Sequence, residues 1–145
     1  VQRKYLPTFS ELVDRLTIVL LKSIFIPQNK SQYNQEIKDI KHDIDQIIND
    51  KNIKLNSDII KSICIIMLAN RYIWENESKC RSGESQDLSL LKLTHSINGV
   101  RNTAKNILAK EFNERQDLKI DCLAAELLSD FQNWDIFKDY EEKTK

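Results

Sequence analysis

From Ile59 to Arg81 one face of the chain repeats at helical spacing without interruption. Ile59, Ile63, Ile66 and Met67 open it, and Asn70, Trp74, Glu77 and Arg81 continue it at steps of four, three and four. Residues three and four apart share one side of an α-helix, so the whole run belongs to a single long helix. The stripe starts as hydrocarbon and continues as amide, indole, carboxylate and guanidinium, which puts polar groups where a core face is expected. A buried polar group without a partner costs about 1–3 kcal/mol. These side chains therefore need partners, from other helices or from a ligand.

The rest of the chain follows the same period. Thr8-Phe9-Ser10-Glu11 is a capping-box pattern and Pro27 is a stop, so a first helix is expected over Phe9 to Phe25. It is apolar around most of its circumference, as a central helix should be; Glu11, Arg15 and Lys22 share one narrow polar face. After a polar loop, Tyr33, Ile37, Ile40, Ile44, Ile47 and Ile48 form a single seam with a charged outside, the pattern of an outer wall. Asn49 to Asn56 reads as a connector, Ser57-Asp58 as the cap of the third helix, and Ser82-Gly83-Glu84-Ser85 as its break. Leu90, Leu93, Ile97, Val100, Ala104 and Leu108 mark a fourth helix capped by Asp87. Gly99 inside it costs about 1 kcal/mol against Ala and points to close packing of another backbone. A last helical segment, about Leu118 to Tyr140, carries Phe131, Trp134 and Phe137 and is expected to pack across the bundle or on a second subunit. Only two Gly and two Pro leave little turn chemistry for a β fold. The 145 residues are expected to form one all-α domain, a bundle of four main helices plus a C-terminal helical segment.

Charge and hydropathy narrow the functional classes. With 22 basic and 22 acidic residues the chain has no general attraction for nucleic acid or anionic membrane. The longest apolar tract, Leu16 to Ile26, is interrupted by Lys22 and Ser23, too short and too charged to span a bilayer. Cys64, Cys80 and Cys122 form no C-x-x-C pair, an arrangement that suits reduced thiols and a cytoplasmic location. The isoleucines around Ile59–Ile66 and the late aromatics exceed what one seam needs, so a homodimer is expected.

Three of the helices present polar residues beside a buried stripe. The first offers Asp14, Arg15 and Lys22; the third Asn70, Trp74, Glu77 and Arg81; the fourth Asn98, Arg101 and Lys105. If the rows face one another, five cations meet two carboxylates, and the surplus calls for an anion. In that reading Arg15, Lys22, Arg81 and Arg101 hold a phosphate or carboxylate. Asn70 and Asn98 read polar edges, Glu77 orients the arginines, and Trp74 offers a flat surface to a base or sugar ring. The alternative is a satisfied polar layer, with the cations paired to Asp14 and Glu77, that only fixes helix register.

At these residues the chain resembles a group of small uncharacterised helical proteins of bacteria and phages. Thr8-Phe9-Ser10-Glu11-Leu12-Val13-Asp14-Arg15-Leu16-Thr17-Ile18 through Lys22 looks like that group's opening signature. Asn70-x-x-Ile73-Trp74-x-x-Glu77-x-x-x-Arg81 is similar to its second, and Ile97-Asn98-x-x-Arg101-x-x-x-Lys105 to its third. The resemblance covers about residues 8 to 108. It implies a helical domain in which Asp14, Arg15, Lys22, Asn70, Glu77, Arg81, Asn98 and Arg101 act together. It implies no activity, because the family is a domain of unknown function; some members look associated with surface-polysaccharide genes.

Other chemistries fit less well. The only histidines, His42 and His95, do not follow a Glu at the spacing a di-iron bundle uses, and they complete no metal or nucleophile set. Two isolated glycines cannot build a phosphate loop. Glu111-x-x-Glu114 matches half of the carboxylate pattern of all-α magnesium-dependent nucleotide pyrophosphohydrolases, while Glu126 to Asp130 misses the other half by one residue. The expectation is thus a non-catalytic module without cofactor or metal that binds a small anionic molecule, a nucleotide or sugar phosphate. A protein-interaction module and the magnesium-dependent hydrolase stand as alternatives.

Overall fold

Thr8 Oγ1 accepts the Glu11 backbone N–H at 3.3 Å, and Glu11 Oε2 accepts the Thr8 N–H at 3.4 Å. This reciprocal box starts helix α1, Phe9–Phe25. The computed structural model describes residues 2–81, 88–116, 136, 137, 139 and 140; side chains of residues 80, 81 and 88–93 lie outside that description. Three more helices follow: α2, Lys30–Lys51; α3, Ser57–Arg81; and α4, Leu88–Glu111. Among the described residues there is no strand, and the fold is an all-α bundle. The proposed cap Asp87, most of the segment Leu118 to Tyr140, and the carboxylates Glu126 and Asp130 lie outside the described residues.

Three boundaries differ from expectation. No polar loop separates the first two helices, because Pro27–Asn29 folds as a single 3-10 turn leading straight into α2. Pro27 provides the fixed φ that such a turn begins with. α2 then runs past Asn49 to Lys51, and Asn52 ends it in the left-handed region at φ 50°, where its N–H reaches the Asn49 carbonyl at 3.3 Å. Asparagine here fills the role more often given to glycine. The cap of α3 is Asn56 rather than Ser57-Asp58: its Oδ1 accepts the Ile59 N–H at 2.9 Å.

α3 and α4 pair most extensively, α2 lies along α1, and α1 touches both members of the α3–α4 pair, which makes it the central helix. One core gathers Phe9, Val13, Ile59, Ile66, Ala104 and Leu108. Phe9 and Phe112 stack at 3.8 Å, locking the start of α1 to the end of α4. Glu114 seals the same corner: both its oxygens accept the Phe9 N–H, at 2.9 and 3.0 Å, and Lys51 Nζ lies 3.6 Å away. Leu12, Val19 and Ile40 form a second cluster where α2 packs on α1. Gly99 is buried.

On α3 the apolar side chains divide between two faces. Ile59, Ile65 and Ile66 are buried, whereas Ile60, Cys64, Leu68 and Tyr72, spaced four apart, are exposed. No helix among the described residues is long and apolar enough to cross a membrane.

Candidate functional site

Asn70 sits 3% exposed in the middle of α3 and uses its amide in three directions. Its Nδ2 donates to Asp14 Oδ1 at 2.8 Å and to Thr17 Oγ1 at 2.5 Å, both on α1. Its Oδ1 accepts from Arg101 Nη1 on α4 at 3.1 Å. The neighbours determine which way the amide points. A flipped side chain would set its oxygen against the Asp14 carboxylate and its NH2 against a guanidinium. Asp14 is held from the other side by Lys105 Nζ, 3.5 Å from Oδ2, and both side chains are mostly buried. Thr17 completes the layer by donating to the Asp14 carbonyl at 2.7 Å. Lys105, Asp14, Asn70 and Arg101 thus form one connected polar chain across three helices.

Arg101 ends that chain at the wall of a cleft of about 510 Å³. α1 and its C-cap supply Ile18, Leu21, Lys22 and Ile26 to the lining. α3 supplies Asn70, Ile73, Trp74, Glu77 and Ser78, and α4 supplies Asn98 and Arg101. The volume falls within the roughly 300–1,000 Å³ usual for small-molecule sites. Its described charges are Lys22 and Arg101 against Glu77, which is exposed. Arg101 Nε is buried without a hydrogen-bond partner among the described residues, so the guanidinium is fixed on one side and unsatisfied on another. Behind Trp74 stands Phe25, ring centroids 6.0 Å apart, and Arg71 lies over Phe25 at 4.7 Å.

Compared with protein-family models, with curated proteins and with solved structures, the chain finds no match. Its site is therefore read from its own geometry.

Six of the residues singled out from sequence line this cleft: Lys22, Asn70, Trp74, Glu77, Asn98 and Arg101. Three do not. Arg15 turns to α2, where Nε and Nη2 both donate to Glu36 Oε1, at 2.8 and 2.7 Å. Lys105 is held by Asp14 and lines a different hollow, with Arg115 and Glu11. The Arg81 side chain lies outside the described residues. Among the described residues the cleft holds a surplus of one positive charge, Lys22 and Arg101 against Glu77, while Arg15 pairs with Glu36 and Lys105 with Asp14. Asn70 has both its donors engaged on α1, and its oxygen accepts from Arg101.

Sequence reasoning passed over Thr17, Ser78 and Phe25. Thr17 was the findable one, a lone hydroxyl one turn after Asp14 in an otherwise apolar tract. Glu114, considered as half of a magnesium pair, instead caps α1, and Glu111 accepts from Asn56 Nδ2 at 3.4 Å. No acidic, histidine or cysteine cluster able to hold a metal occurs among the described residues.

Proposed function

We propose that the protein binds a small phosphate- or carboxylate-bearing molecule in the cleft between α1, α3 and α4. The observation that carries this reading is Arg101, held by Asn70 at the cleft wall with a buried Nε that has no partner among the described residues. A guanidinium in the wall of a cleft gains from an anion there, which it can meet through its N–H groups. Lys22 adds a second cation to the lining, and Asn98 and Ser78 add neutral polar groups. Kinship with the helical family of unknown function belongs to the same proposal. Residues from all three resembling signatures line the cleft, Lys22 from the first, Asn70 and Trp74 from the second, Asn98 and Arg101 from the third.

The test is a thermal-shift series with inorganic phosphate, sugar phosphates and nucleoside monophosphates on wild type and on Lys22→Met. Lys22 lines the cleft but is outside the Asp14–Asn70–Arg101 chain, so the variant should remain folded. A ligand at 100 times its dissociation constant adds about 2.7 kcal/mol, a midpoint shift of several degrees. A shift in wild type that shrinks in Lys22→Met supports the reading; no shift with any of these anions overturns it.

A second reading rests on the exposed stripe Ile60, Cys64, Leu68 and Tyr72 on α3. A face of that kind suits contact with a second copy of the chain, and the polar layer would then serve register alone. Sedimentation of wild type against Leu68→Glu tests it: a dimer that the charge converts to monomer is the expected result.

A further inference from the structure

We infer that the ligand carries an aromatic base as well as its anionic group, so that the cleft selects nucleotides over sugar phosphates. This rests on the anion-binding reading above and adds the second half of the ligand. Trp74 is half-buried and lines the cleft, while Phe25 stacks against it and does not line it. Arg71 lies over Phe25 in turn, 4.7 Å from its centroid, so the ring that packs against the indole is itself held by a cation. A large ring held this way, with part of its surface left to an open cleft, loses little freedom when a second ring stacks on it. On the α1 side the cleft is walled by Ile18, Leu21 and Ile26, aliphatic apart from Lys22. An indole on one helix and branched hydrocarbon on the other form a slot for a flat, weakly hydrated group. Against these apolar walls a sugar hydroxyl would lose water without replacement, whereas the face of a base would not. Asn98 supplies a donor and an acceptor for a base edge, Ser78, whose hydroxyl donates to the Trp74 carbonyl at 2.8 Å, supplies an acceptor, and Arg101 and Lys22 remain for the phosphate.

The experiment compares AMP, UMP and ribose 5-phosphate by titration calorimetry on wild type, Trp74→Phe and Trp74→Leu. AMP is expected to bind wild type about tenfold or more tightly than ribose 5-phosphate, the range of one base–aromatic stack. Trp74→Leu should bring AMP down to the level of ribose 5-phosphate without changing the latter, and Trp74→Phe should keep part of the preference. A Trp134→Phe background leaves Trp74 as the chain's only tryptophan and supplies a readout that leaves Trp74 intact: AMP should quench its emission and ribose 5-phosphate should not. Equal affinities for AMP and ribose 5-phosphate would overturn the base slot while leaving the anion site standing. Equal weakening of both by Trp74→Leu would do the same, since the indole would then be only a wall. If none of the three binds, the anion site falls, and the base slot with it.

Discussion

Asn70 accepts the Arg101 guanidinium at 3.1 Å and presents its NH2 to Asp14 at 2.8 Å, joining opposite charges from two helices through one neutral amide. Replacing it with Leu keeps the volume and removes all three hydrogen bonds. Arg101 and Asp14 each then lose a buried partner, at about 1–3 kcal/mol apiece. Asn70→Leu should lower stability by about 2–4 kcal/mol, read as a shift in urea midpoint at unchanged slope. A loss below about 0.5 kcal/mol would mean the layer contributes nothing to the fold.

Asp14 and Lys105 are 14% and 18% exposed, enough burial for their pairing to count. Asp14→Ala should cost more than Lys105→Ala, because Asp14 also accepts from Asn70, whereas the lysine stem can carry its charge out to water. A double-mutant cycle should return a coupling of about 1–2 kcal/mol. Additive single effects would show that the 3.5 Å contact carries no energy.

Arg15 gives the opposite expectation. Its pair with Glu36 joins side chains that are 49% and 33% exposed, and such pairs contribute about 0–1 kcal/mol. Arg15→Ala should leave stability within about 0.5 kcal/mol and phosphate affinity unchanged. A tenfold weaker affinity would return Arg15 to the site.

The same residue shows where sequence stops being sufficient. Helical period and the Thr8–Glu11 box placed α1 to the residue, because capping and amphipathicity are local. Local pattern also brought Lys22, Asn70, Trp74, Asn98 and Arg101 together, since each lies on or beside a seam that must face another helix. Arg15 and Lys22 were indistinguishable on that basis: they share one face of α1, and a seven-residue offset places one against α2 and the other at the cleft. Which neighbour covers which end of a long helix depends on crossing geometry, to which sequence spacing is blind. The Asn56 cap was missed for a milder reason, since Asn, Ser and Asp in succession are all good caps and only the chain's entry direction chooses among them.

Asp139 is tied to Lys61 by a 2.6 Å contact at the surface. The hydrogen bond from Lys61 is the main reason its carboxyl titrates below the ordinary carboxylate range, with the lysine's charge adding to it. A carboxyl whose folded pKa is depressed contributes stability above its unfolded pKa and loses it as pH falls through the folded value. Lys61→Met should therefore raise the Asp139 pKa towards its ordinary value, followed by carbon-13 shifts of the carboxyl. It should also flatten whatever acid-side slope this pair gives to stability. An unmoved titration would show that the contact does not persist in solution.

Glu114 makes a different kind of prediction, because its carboxylate meets a helix terminus rather than a side chain. Both oxygens accept the Phe9 N–H, at the end of α1 where unpaired N–H groups leave partial positive charge. Its side chain is 7% exposed and Lys51 is close, so the group is held against the corner where Phe9 stacks on Phe112. Glu114→Ala should cost about 1–2 kcal/mol and speed amide exchange over the first turn of α1. Glu114→Gln keeps one acceptor but no charge, and should recover part of the loss. If exchange over the first turn is the same in wild type and Glu114→Ala, the Thr8–Glu11 box alone holds the start of the helix.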